Sequence, residues 1–252
     1  MSGHSKWASI KHQKAVKDAR RGAAFTKLAR AIQVAAKEGG GGGGDPASNA
    51  ALALAVQKAR DASMPKDNIE RAIAKGTGEG ADADALESVL YEAYGPGGVA
   101  LLIEAVTDNR NRTGADVRHL LSKHGSNLGE PGSVAYLFDK RGVVVVDATR
   151  YSEDDLMVAI DAGAQEIELD DDVYEIVTAP ADLAAVRRAL ETAGIEAEDA
   201  ELAQRPSVRV PLDETQAARL IQLIEALEEN DDVASVHANF DVAADVLERV
   251  AG

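Results

Sequence analysis

Charge in this 252-residue chain is divided so unevenly that a single evenly charged domain cannot account for it. Residues 1–75 hold 14 Lys and Arg against 6 Asp and Glu, a balance of +8, whereas the rest holds 13 against 37, a balance of -24. The segment from Met1 to Lys37 is sharper still, with nine basic residues and Asp18 as its one acid. A basic head therefore precedes an acidic body. At 45% hydrophobic residues the chain can bury real cores, and its length suits two or three domains, which excludes disordered and collagen-like classes. It has no cysteine, so thiolate chemistry, thiolate zinc sites and disulfide scaffolds are excluded, and a reducing compartment is compatible. No apolar run approaches the roughly 20 residues that span a bilayer.

Nearly pure lysine and arginine repel one another unless an anion relieves them, and the anion that such a stripe most often meets is a nucleic-acid backbone. The acidic body opposes this attraction only weakly. The Debye length is about 8 Å at physiological salt, while a domain of the head's size has a radius of gyration of roughly 11 Å. Transit peptides share the basic, acid-poor composition but are also serine-rich, and a secretory signal needs an apolar stretch that is missing here. A cytoplasmic location is therefore expected.

Within the head, Phe25, Leu28, Ile32 and Ala36 recur at helical spacing and predict a helix from about Ala23 to Lys37, closed by Gly39. Gly39 to Gly44 read as a flexible connector, since the run lacks the Lys-Ser/Thr ending and the preceding strand of a phosphate-binding loop. A second helix runs through Leu52, Val56 and Ala59. A third begins near Pro65, carries Ile69 and Ile73, and stops at Gly76; Gly76 to Gly80 form a linker.

Beyond the linker, Val99 to Val106 reads as a half-buried strand, followed by Thr107 to Gly114 and a helix with Val117, Leu120 and Leu121 on its apolar side. Thr113 with Asp116 predicts a capping box, and Gly125 the helix end. That would put Arg110 and Arg112 just ahead of a helix N-terminus, where backbone N–H groups favour an anion. Equally, both arginines could pair with acids such as Asp108. Gly142 to Gln204 reads strand, helix, strand, strand, helix, strand, the ferredoxin-like order. Remaining are a strand near Val208 to Val210, a helix capped by Asp213 with Gln216 at its third position, and a strand at Val233 to Phe240. These are expected to fold with residues 81 to 132, the ferredoxin-like unit being an insertion.

Several motifs resemble a known family. Ser2-Gly3-His4-Ser5-Lys6-Trp7, Met64 to Ile73, Tyr94-Gly95-Pro96-Gly97-Gly98, Thr107 to Thr113 and Gly132-Ser133-Val134 occur in the order found in the YebC/PmpR family, and the matches extend from Met1 to about Phe240. The resemblance implies a helical N-terminal domain and two α/β domains around a cleft. It also implies DNA-binding transcriptional regulation, or translational activation as in the mitochondrial relatives of the family, with bacterial members connected to ribosomes stalled on proline-rich stretches. The glycine run is longer here than the family's short Gly-Gly-Gly-Asp-Pro loop, which bears on the orientation of the first helix.

Catalysis has little support. His119 and His124 are five apart and diverge on a helix, and neither belongs to a His-Glu-x-x-His pattern. The acidic runs Glu153 to Asp155 and Asp170 to Asp172 read as solvated helix starts and loops rather than Mg²⁺ sites. Trp7 either stacks on a base or anchors the N-terminus to a core. The expected protein is α+β with three domains: a helical bundle (1–78), a discontinuous α/β domain (79–132 with 206–252) and an inserted ferredoxin-like domain (133–205). Its expected role is that of a nucleic-acid-binding regulator, with no enzyme activity, no cofactor and no metal. DNA is the favoured partner, with ribosomal RNA, tRNA or the ribosome, or an acidic adaptor role, as alternatives; no membrane is involved. The candidate contacts are Lys6, Trp7, Lys11, His12, Lys14, Lys17, Arg20, Arg21, Lys27, Arg30, Arg110, Arg112, Arg118 and Lys123.

Overall fold

The computed structural model describes residues 21–39, 43–78, 86–170 and 172–251. Three helices come first: α1 (Arg21–Glu38), α2 (Ala50–Asp61) and α3 (Lys66–Gly76). The predicted apolar spacing is what packs them. Ile32, Ala35 and Ala36 of α1 meet Leu52 and Val56 of α2 and Ile69 and Ala72 of α3 in a core of their own. Asn49 joins the pieces, its side chain accepting from the Leu52 amide to cap α2 while donating to Ala35 O and Gly43 O. Gly76 ends α3 where a Cβ would collide with Gln33 O, so only glycine allows α3 this close to α1. Pro65 stands one position before α3 rather than inside it, with an extended ψ of 139°. The middle of the Gly39–Gly44 run and the end of the Gly76–Gly80 linker lie outside the described residues.

Two antiparallel sheets follow. The first draws on β1 (Glu87–Tyr94) and β2 (Ala100–Thr107), which lead into α4 (Arg110–Lys123) and β3 (Asn127–Leu128). The second is built from β4 (Phe138–Asp147), α5 (Met157–Asp161), β5 (Ala164–Asp170), β6 (Val173–Thr178), α6 (Leu183–Thr192) and β7 (Ala197–Pro206). Its strand order, β5-β6-β4-β7, is that of a ferredoxin-like sheet. The chain then returns through β8 (Val210–Pro211), α7 (Glu214–Glu228), β9 (Val233–Ala238), β10 (Phe240–Asp241) and α8 (Ala244–Ala251). Strand β9 completes the first sheet in the order β3-β1-β2-β9, so the second sheet is made wholly of chain lying between two contributions to the first. The predicted last strand is broken at Asn239, and β10 pairs in parallel with β8 as a separate two-stranded piece. The α7 start is as expected: Asp213 and Gln216 form a reciprocal capping box.

Strand β2 corrects the half-buried expectation, since seven of its eight residues are buried. Leu101 and Ile103 face the α4 and α7 side with Val117, Leu121, Leu220 and Ile224. Its other face is covered as well, Ala100 and Leu102 by Val134 and Phe138, and Val106 by Val34 of α1. A strand covered on both faces loses its polar alternation. Where the two sheets meet, Gln204 donates to Glu104, which also accepts from Ser235. The His237 imidazole, 3.9 Å away and bridged by that serine, leads in holding the Glu104 carboxyl down at about 2; burial opposes it, and Gln204 and Ser235 assist.

Candidate nucleic-acid interface

The string after β2 builds the first element of the site. Asn109 adopts an extended conformation (φ -148°, ψ 92°) and its side chain accepts from the Arg112 amide, so α4 starts at Arg110. The predicted Thr113–Asp116 capping box does not form. Thr113 is already inside the first turn and fully buried, its hydroxyl engaged with Thr107, Asn109 O and Asp232. Arg110 and Arg112 therefore belong to the helix's first turn instead of preceding it.

Asp232, in the turn before β9, organises the surroundings. Its side chain is only 7% exposed, and its carboxylate accepts from Arg30 (2.6 Å), Arg112 (2.8 Å) and the Thr113 hydroxyl (2.6 Å). Burial works against ionisation, but these donors outweigh it and keep the group below its ordinary value. Arg30 also donates to Asp231 O, Lys27 to Glu228 O, and Lys37 to Leu86 O. Three cations of α1 thus fasten the helical unit to the first sheet. Lys58 with Glu201, and Arg187 with Asp61, fasten it to the ferredoxin-like unit.

The candidate residues are accordingly sorted by their neighbours. Lys27 and Arg30 are half-buried in the interface, and Arg112 is shared between Asp232 and Asp108. Arg110 is 64% exposed, with Glu87 at 3.8 Å. Arg118 and Lys123 are exposed farther along α4, whose sole acid is Asp116, and His119 is exposed between them. Arg118 lies on the flank that borders β1 and β3; Lys123 and His119 face away from the core. Arg21 opens α1, and Lys6, Trp7, Lys11, His12, Lys14, Lys17 and Arg20 lie outside the described residues. Among the described residues, no cluster of histidine and carboxylate side chains is arranged to hold a metal ion, and no helix is long and apolar enough to cross a membrane.

This sorting yields a discriminating pair of variants. Arg112→Ala is expected to lower the urea midpoint, because it removes one of the two cationic donors to a buried carboxylate. Arg110→Ala combined with Arg118→Ala should leave it within experimental scatter, both side chains being solvent-facing. Equilibrium urea unfolding followed by circular dichroism measures both. Asp232 itself is not among the residues that the sequence marks out. Its only signal there is a pair of acids, Asp231-Asp232, in a short turn before a strand, which reads as ordinary solvated loop.

The comparisons with known proteins agree along the whole chain. Residues 5–79 match the TACO1/YebC protein N-terminal domain, and residues 86–240 match the TACO1/YebC second and third domain. A protein of Rubrobacter xylanophilus is 55% identical over 253 residues, covering 100% of both chains, and one of Acidothermus cellulolyticus is 53% identical over 99% of this chain and 100% of its own. Both carry the name "Probable transcriptional regulatory protein", which supports a regulatory role and does not describe an enzyme class. The crystal structure of a conserved hypothetical protein from Aquifex aeolicus superposes with a TM-score of 0.80 at 45% identity, over 90% of this chain and 92% of that one. With both family models matched in order and relatives more than half identical from end to end, this chain belongs to the TACO1/YebC family.

Proposed function

We propose that this protein is a regulator that acts by binding nucleic acid, with DNA as its target, through the basic segment Met1 to Arg21 and the solvent-facing cations of α4. The observation that carries the reading is the division of labour among the cations. Lys27, Arg30 and Arg112 hold α1 against the start of α4. Arg110, Arg118 and Lys123 are thereby left facing solvent on the element to which the basic head is tied. Because α1 continues the basic segment in sequence and is held against α4, the two cationic groups share an effective concentration toward one polyanion, and linked contacts bind more tightly than separate ones. Phosphate contacts of this kind position a protein without reading sequence, so affinity should exceed specificity. The units 1–78, 79–132 with 206–252, and 133–205 are proposed as the domains that carry these roles.

Crosslinking in cells followed by sequencing of both DNA and RNA tests the reading. Recovery of DNA in preference to RNA is expected, with Arg110→Ala plus Arg118→Ala reducing the recovered material. Recovery confined to ribosomal or messenger RNA would replace transcriptional regulation with a role in translation. Protein partners that survive nuclease treatment, with no crosslinked nucleic acid, would favour an acidic adaptor.

A further inference from the structure

We propose that β5, an outer strand of the ferredoxin-like sheet, docks an extended basic segment of a partner protein, which joins the sheet as a fifth strand. This protein contact goes beyond the nucleic-acid reading and belongs to a different unit from the cations of α4. In the order β5-β6-β4-β7 the two outer strands are β5 and β7. Strand β7 is backed by α2, whose Lys58 reaches Glu201, and by the first sheet, where Gln204 donates to Glu104. Among the described residues no strand pairs with the outer side of β5, and four of its seven residues are exposed. Such an edge presents a row of backbone N–H and C=O groups that an added strand can satisfy.

The two faces of this edge differ in chemistry. Ile167 and Leu169 are two apart and pair with Ile176 and Tyr174, which places both on the side of the helices. Ile167 packs on the core there, whereas Leu169 is 61% exposed. Helix α5, which leads into β5 and packs against it, leaves Met157 and Ile160 exposed as well. On the opposite face Glu166 and Glu168 share the Arg205 guanidinium with Glu175, at 3.0, 2.5 and 3.5 Å. One cation against three carboxylates leaves that face negative. The surrounding unit has the same sign, since residues 133–205 hold 18 Asp and Glu against 6 Lys and Arg.

Charge then decides what can add. A polyanion is repelled. A second copy paired antiparallel about Ile167 would set Glu166 opposite that copy's Glu168, and like charges directly opposite are destabilising. A strand that alternates cations with apolar residues meets neither obstacle: its cations lie across from Glu166 and Glu168, and its apolar residues lie beside Ile167 and Leu169. The acids of β5 thus exclude the chain's own kind while admitting a basic strand. The outer edge of β1 makes no such selection. Strand β3 occupies it at Ala93 and Tyr94, and the cavity of about 380 Å³ beside it has both Arg118 and Glu130 in its wall.

Fluorescence anisotropy with the full chain tests this, using a labelled peptide of about nine residues that alternates lysine and valine, and a counterpart of equal charge that is N-methylated throughout. The unmethylated peptide is expected to bind at least about tenfold more tightly, several cross-strand pairs together being worth that factor. Leu169→Lys should remove the advantage without altering the circular dichroism melt, the side chain being exposed, and Leu90→Lys on the edge of β1 should leave it intact. Hydrogen exchange should show β5 amides gaining protection when the peptide is added. Equal binding of the two peptides would mean adsorption to an acidic surface and overturn the proposal, as would loss of the advantage in Leu90→Lys but not in Leu169→Lys. Light scattering that shows a dimer dispersed by Leu169→Lys would assign the edge to a second copy and likewise overturn it. None of these failures touches the nucleic-acid reading, which is measured with DNA and RNA.

Discussion

Removing Met1 to Arg21 should flatten the salt dependence of DNA binding more than any single substitution can. This segment carries six cations: Lys6, Lys11, Lys14, Lys17, Arg20 and Arg21. If they neutralise six phosphates of a duplex, log affinity falls against log salt with a slope of about -5, or roughly a thousandfold between about 50 and 200 mM. Arg110, Arg118 and Lys123 alone would support a slope of about -3, or roughly fortyfold over the same range. The truncated chain should still fold, because the core of the helical unit draws on Phe25, Leu28 and Ile32 and nothing earlier among the described residues. Titration of labelled random-sequence duplex at four salt concentrations measures the slope. An unchanged slope in the truncated protein would remove the N-terminal segment from the interface.

The second large effect is expected at Asp232. Asp232→Ala should lower folding stability by about 2 kcal/mol, a buried charged acceptor being lost. A larger loss is not expected, since each of the three closest donors keeps another acceptor: Arg30 has Asp231 O, Arg112 has Asp108, and Thr113 has Asn109 O. The signature that separates this change from a generic core defect is local. Hydrogen exchange should rise in α1, the helix that Asp232 fastens, while the ferredoxin-like sheet keeps its protection. Uniform loss of protection throughout the chain would contradict the fastening role.

Acid should act on the same seams. The Asp232 carboxyl is held below the ordinary aspartate value of about 4, so its stabilisation is complete above that pH and is lost as pH falls through the folded-state value. Glu104, at about 2, behaves likewise where the two sheets meet, its contribution fading between about pH 4 and pH 2. The units should therefore separate in acid before their individual cores melt.

Elements whose cause is local are legible in the amino-acid sequence. The apolar spacing of α1 to α3, the Asp213–Gln216 capping box, Gly125 at φ +69° after α4, and the strand and helix order from Gly142 to Gln204 all arise from interactions within a few residues. Expectations fail where a distant partner outcompetes a local one. Thr113 and Asp116 have the spacing of a capping box, yet Asn109 captures the helix start, and the Thr113 hydroxyl goes to an aspartate 119 residues away. Strand β2 looks half-buried in sequence because the coverage of its second face comes from Val34, Val134 and Phe138, none of them its sequence neighbours. Strand β1 is not anticipated at all, and its Glu92 is buried only because a loop 40 residues later presents three amides to it.

The candidate site divides along the same line. Composition alone concentrates the cations at the front of the chain and makes the rest acidic, because a charge count needs no partner. Which of those cations are free to meet a ligand is a question about neighbours in space. Arg30 and Arg112 look like Arg118 in one dimension, but folding brings the first two within reach of a carboxylate that burial makes costly to leave unpaired, whereas Arg118 stays beside an open cavity.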